Sequence, residues 1–186
     1  MSISLPAGNE YAEWMQKYVD LTQAAMQSAG ESDLVAFMGK QVGMFRALLK
    51  DIPVAAEDYS YGPGKWTLAE SLVHTSDTER VFAFRLVHIA RGDKRPLMGF
   101  SQDEWMPECR VSGRRRLPDI LDEMDAVRGA SLSLIRSLDE TALSQIGTAS
   151  DKPVSSRALV WLMAGHMHHH LVLARDSYLA GYSASK

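Results

Sequence analysis

The chain has 186 residues, of which 46% are hydrophobic and 23% charged, and a formal net charge of −3. That suits one domain with a continuous core and excludes a disordered or low-complexity chain. The charge gives no reason to expect nucleic acid or an anionic membrane as partner. No apolar run nears the roughly 18 residues that span a bilayer, and Cys109, as the only cysteine, excludes an internal disulfide. With no basic-flanked apolar leader at the start, a reducing, cytoplasmic location is the expectation.

Helical periodicity dominates, and no stretch of useful length alternates as a strand would. Tyr11, Trp14, Met15, Tyr18 and Leu21 recur at spacings of three and four, which predicts a first helix over 10–27. After Gly30, Ser32 or Asp33 can cap a second helix carrying Leu34, Phe37, Met38, Phe45, Leu48 and Leu49 on one face. Residues 51–64, with Pro53 and Pro63, read as an ordered loop. Thr67-Leu68-Ala69-Glu70 fits a capping box, opening a third helix that runs to about Arg91, where Gly92 offers a stop. Leu117-Pro118-Asp119 opens a fourth, with Asp119, Asp122 and Glu123 near its positive end. The last helix runs from near Ser155 to about Leu179, ahead of Gly181.

The expected fold is all-α: a four-helix bundle over 32–186, preceded by an N-terminal helical extension over 1–31. The 25 residues from Gly92 to Arg116 far exceed the roughly 2–8 of a bundle loop. Extended, they reach roughly 80 Å. A crossover between the second and third bundle helices follows, with its two flanking helices parallel.

Four of the six histidines lie in His166-Met167-His168-His169-His170. His166 and His170, four apart, share a helix face with Leu159, Leu162, Met163 and Leu173. His169 pairs with His166 at a spacing of three and is an alternative. His168 is turned roughly 160° from His166 and faces away. Inward imidazoles on an apolar stripe are costly unless something uses their nitrogens. His74 supplies a third candidate. It lies roughly 10 Å into its helix, and an antiparallel arrangement brings it within about a turn of the other cluster. Three imidazoles, with other positions left for water, match a catalytic metal site better than a structural one. Such ligands suit zinc or nickel, and iron is also accommodated, whereas magnesium or calcium would want oxygens.

Asp77, one turn beyond His74, is a candidate to orient an imidazole or accept a proton, with solvated helix surface as the alternative. Cys109 has no identifiable base nearby and reads as an incidental thiol. Arg110, Arg114, Arg115 and Arg116 read as a solvated loop, or else as a clamp for a substrate carboxylate.

These segments resemble the DinB/YfiT-like superfamily. The likeness rests on Gly64-Lys65-Trp66-Thr67-Leu68-Ala69-Glu70 followed by His74, on Gly165-His166 followed by His169-His170-Leu171, and on Gly99-Phe100-Ser101-Gln102-Asp103-Glu104-Trp105 between them. It covers roughly Leu34 to Tyr178. The resemblance implies a crossover four-helix bundle, a metal held by His74, His166 and His170, a stress-associated role and a homodimer. Some members are thiol-dependent S-transferases or isomerases using bacillithiol or mycothiol. Met167 departs from the acidic residue often found there. The expectation is a divalent-metal-dependent enzyme, an S-transferase or hydrolase, acting on a small electrophile with a low-molecular-weight thiol as a partner. The alternative is a non-catalytic dimeric ligand-binding or stress-response bundle.

Overall fold

The computed structural model of the protein describes residues 3–184. A 3-10 turn at Glu13–Met15 leads into α1 (Gln16–Ser28), and α2 (Leu34–Leu49) and α3 (Leu68–Ala90) follow. A short α4 (Gln102–Cys109) interrupts the crossover before α5 (Leu117–Arg136). A single turn α6 (Glu140–Leu143) and an antiparallel hairpin, β1 (Ile146–Ala149) and β2 (Lys152–Ser155), precede α7 (Ser156–Leu173). That helix passes through a π segment, Ala174–Leu179, into α8 (Ala180–Ala184). Among the described residues no helix is long and apolar enough to cross a membrane.

Local chemistry sets the starts. Asp33, not Ser32, caps α2, accepting from the Val35 and Ala36 amides at 2.8 and 3.0 Å. The capping box of α3 is complete: Thr67 Oγ1 accepts from the Glu70 amide, and Glu70 Oε2 accepts from the Thr67 amide. The predicted first helix starts later than expected, because Glu10 is drawn to the end of the hairpin. Its carbonyl accepts from the Ser155 amide and its carboxylate from the Ser155 hydroxyl.

Helix α2 packs on α5 and α7, which in turn both pack on α3, while α1 lies against α7. Two apolar clusters fix the directions. One joins the start of α2, the end of α3, the end of α5 and the start of α7, through Phe37, Leu86, Ile135 and Leu159. The other joins the opposite ends, through Phe45, Leu72, Ile120 and Met167. So α3 and α5 run parallel, α2 and α7 antiparallel to them, as the crossover requires. Between the clusters sits a polar layer, in which Arg128 forks onto Glu79 and also donates to Gln41 Oε1 and the Met38 carbonyl. The histidines lie beside it.

Two elements depart from the expectation of helices and loops alone. The hairpin escapes a periodicity argument because its strands are only four residues long and its two-residue turn uses Ser150 and Asp151, both at positive φ. Within the crossover, α4 buries Met106, and the following turn buries Val111. Leu97 is pinned to the hairpin by hydrogen bonds with Thr148 and Ser150. The last helix also continues past Leu179 and Gly181.

Gly165 permits a close approach of α1 to α7. A Cβ there would stand 2.2 Å from the Tyr18 carbonyl oxygen and 2.8 Å from Thr22 Oγ1. Gly165→Ala therefore has to push α1 off α7 beside His166. We expect a loss of about 1–3 kcal/mol, read by urea unfolding; an unchanged midpoint would contradict this packing.

Candidate metal centre

Helices α3 and α7 bring His74, His166 and His170 together, with exposures of only 4%, 8% and 6%. Their ligand nitrogens all lie within 4.8 Å of one another, and His74 Nε2 stands 3.1 Å from His166 Nε2. Two hydroxyls hold the rings from behind. Ser71 Oγ is 2.9 Å from His170 Nδ1, and Thr78 Oγ1 is 3.3 Å from His74 Nδ1. The Ser71 hydroxyl occupies His170 Nδ1 and so orients that ring. The Thr78 hydroxyl is also 3.4 Å from His74 Nε2 and contacts the His74 ring without singling out one nitrogen. Trp66 packs over His74, and Tyr18 and Phe82 flank His166.

Of the remaining histidines in the run, His169 is half-buried, edge-on to Tyr18, and outside the cluster. His168 packs on Phe37, on the other side of α7. Met167 places its sulfur 3.0 Å from Arg128 Nη2, so the family's often acidic position here meets the polar layer.

Burial lowers the pKa of all three clustered imidazoles. His74 falls to about 4, chiefly by burial, opposed by the Asp103 carboxylate. His166 and His170 fall well below 6.5, again by burial first and then by their neighbouring histidines. All three are therefore neutral at pH 7, the state that ligates metal. A folded-state pKa below the unfolded value means that the unfolded chain takes up protons first as the pH falls. The stability is complete above about pH 6.5 and drains away towards pH 4. For metal-free protein, His74 alone costs about 2 kcal/mol by pH 5 relative to pH 7.5. Urea titrations at the two pH values check this; equal midpoints would contradict it.

Asp77 does not face the imidazoles. Its carboxylate contacts Arg80 at 3.2 Å and accepts from the Cys109 thiol at 3.8 Å. Three residues turn a helix by roughly 300°, which leaves Asp77 about 60° off the His74 face. Burial raises the pKa of Asp77 and, together with that carboxylate, of Cys109, so the thiol stays protonated. In the arginine run, Arg115 pairs with Glu123 and Arg116 forks onto Glu57 at 2.9 Å on both branches. Both are committed to neighbouring carboxylates.

Two cavities of about 220 Å³ each reach the histidines from different sides. One runs from His166 past Thr78 and Phe82 to Arg85 and Phe100. The other runs from His170 past Ser71 and Trp66 to Asp103 and Tyr178, and Gln102 lines both. Sequence reasoning missed Ser71, Thr78, Gln102 and Arg85. Thr78 stands four residues beyond His74, on the same helix face, and that signal was available, whereas Arg85 is marked out only by the crossover and hairpin turn that close over it.

The molecule is thus a crossover four-helix bundle with a buried three-histidine cluster opening onto cavities. The chain belongs to the DinB superfamily, whose sequence profile matches residues 39–174. It is similar in structure to YfiT from Bacillus subtilis, described as a probable metal-dependent hydrolase with an unusual four-helix bundle topology. The TM-score is 0.70 at 14% identity, covering 97% of this chain and 92% of YfiT, which is a likeness of fold. Among curated proteins no match was found.

Proposed function

We propose that the protein is a divalent-metal-dependent enzyme in which His74, His166 and His170 hold the ion, and water or a low-molecular-weight thiol attacks a small electrophile. The observation that carries this reading is the convergence of three buried, neutral imidazoles with no carboxylate among them. The donor set fits an ion. Two nitrogens on a tetrahedral zinc lie roughly 3.3 Å apart; the His74–His166 pair already stands at 3.1 Å, while the full set lies within 4.8 Å and would draw in around an ion. Imidazole donors alone favour zinc or nickel and also accept iron. When bound, the ion supplies a Lewis acid that lowers the pKa of a coordinated water or thiol.

The chain's own residues do the rest. Ser71 fixes the orientation of the His170 ring and Thr78 contacts His74, while Trp66, Tyr18 and Phe82 keep bulk water from the imidazoles. Cavities on two sides give room for an electrophile and a nucleophile to approach separately. The metal-dependent hydrolase description attached to YfiT supports the same reading.

The test is a turnover assay of zinc-, nickel- or iron-loaded protein. Nitrophenyl esters would be offered without thiol, and chlorodinitrobenzene with cysteine as thiol. Turnover that tracks metal content and disappears in His166→Ala is the expected result. Full metal occupancy with no turnover on any combination would contradict the catalytic half of the proposal.

A further inference from the structure

The cavity beside His166 holds a cation that the fold leaves without a counter-charge. Arg85 is only 5% exposed. Its Nη2 donates to the Met98 carbonyl and to Ser150 Oγ, both at 2.9 Å. Among the described residues no hydrogen bond engages Nε or Nη1, and no carboxylate pairs with the group. Phe100 lies under the guanidinium at 5.6 Å. Burial alone moves its pKa, downward, with no acidic neighbour opposing.

Arg128 shows how this chain treats a buried guanidinium that serves only structure. It is also buried, and is matched by both oxygens of Glu79, by Gln41 and by the Met38 carbonyl. Leaving a buried charge unpaired is strongly unfavourable unless something else meets it. In Arg85 the donors left over belong to a residue that lines a cavity whose other walls include the aromatic rings of Trp14, Tyr18, Phe82 and Phe100 beside the polar Thr78, Gln102 and Ser150.

Size and charge narrow the occupant. An apolar cavity of about 150 Å³ accepts benzene, so the 220 Å³ here has room for a ring with a small substituent. Arg85 and His74 lie roughly 16 Å apart along α3, and an arginine side chain leans back towards the helix N-terminus. Arg85 and His166 line the same cavity, so one ring-bearing molecule within it can face both. Among the described residues lining this cavity Arg85 alone is charged, which matches a monoanionic carboxylate better than a dianionic phosphate.

We propose that this cavity is a carboxylate subsite, in which Arg85 holds a small aromatic acid with its ring between Tyr18, Phe82 and Phe100 and its far end at His166. As a statement of substrate class this rests on the metal-enzyme reading; as a statement of binding it does not. Arg85 becomes a specificity-determining residue, and the electrophile is a planar monoacid that presents its reactive carbon to the histidines.

The test uses ligand-observed fluorine NMR on zinc-loaded protein, with 4-fluorobenzoate as probe and 4-fluorobenzyl alcohol as its neutral counterpart. The acid should bind saturably and at least tenfold tighter than the alcohol. Arg85→Gln should remove that preference, and Arg85→Lys should keep part of it. Metal-stripped wild-type protein should bind the acid within about threefold of the zinc-loaded form, because the carboxylate sits at the other end. Equal binding of acid and alcohol overturns the subsite. So does an acid preference that survives Arg85→Gln. Acid binding lost when the zinc is stripped but kept in Arg85→Gln would place the carboxylate on the ion, which overturns the subsite and supports the metal centre. Acid preference retained in a protein that takes up no metal would leave the subsite standing and sink the enzyme reading. Should Arg85→Gln unfold by circular dichroism, the wild-type comparison and Arg85→Lys decide.

Discussion

Zinc at about a hundredfold excess over its dissociation constant should stabilise metal-stripped protein by about 2.7 kcal/mol. For a chain of this size that is a rise in Tm of roughly 5–11 °C. His166→Ala should abolish the rise, because it removes the ring whose Nε2 faces His74 and leaves only two of the three converging nitrogens. The same loss is expected for His170→Ala, the histidine oriented by Ser71. His169→Ala and His168→Ala should keep the rise, since their rings lie against Tyr18 and Phe37. Asp77→Asn should also keep it, because that carboxylate contacts Arg80 and Cys109. Differential scanning calorimetry with and without zinc reads all five. A rise that survives His170→Ala and vanishes in His169→Ala would mean that the ligand set is wrong.

The second large effect concerns the polar layer. Glu79→Ala should cost about 3–5 kcal/mol, because it strands the Arg128 guanidinium in the core. Out of a typical total of about 5–15 kcal/mol, that is enough to unfold much of the protein at moderate temperature. Arg128 touches α2 through Gln41 and Met38, α3 through Glu79, and α7 through Met167, so its loss loosens three helix contacts at once. Replacing both partners, as in Glu79→Leu with Arg128→Met, should recover most of the loss, since apolar residues of similar size can replace a buried pair at little cost. Urea midpoints of the single and double variants form the cycle. A single-variant cost below about 1 kcal/mol would show that the pair is not buried as described.

What could be read from the sequence was what local rules govern. The Thr67 capping box, the i, i+4 pair of His166 and His170, and the crossover implied by 25 connecting residues each depend on spacing along one segment. The matching height of His74 followed from helix rise alone. What could not be read depends on neighbours distant in sequence. Ser71 reaches His170 across 99 residues, and nothing within α3 announces it. Glu10 leaves the helical pattern because Ser155 claims it. Arg85 looks like any solvated helix residue until the crossover and the hairpin turn close over it. The arginine run reads as a solvated loop, with a carboxylate clamp as the alternative, but its Arg115 and Arg116 meet carboxylates from α5 and from the loop after α2. The hairpin is too short to show alternation, and Gly147 is there because Ile89 would stand 2.6 Å from a Cβ.

The most direct test of the central claim is metal analysis of untagged protein, purified without chelating resin, beside a His74→Ala/His166→Ala variant. The account predicts roughly one equivalent of zinc, nickel or iron in the wild type and none in the variant. Wild-type protein that holds no metal even after reconstitution, or a variant that holds as much, would contradict it.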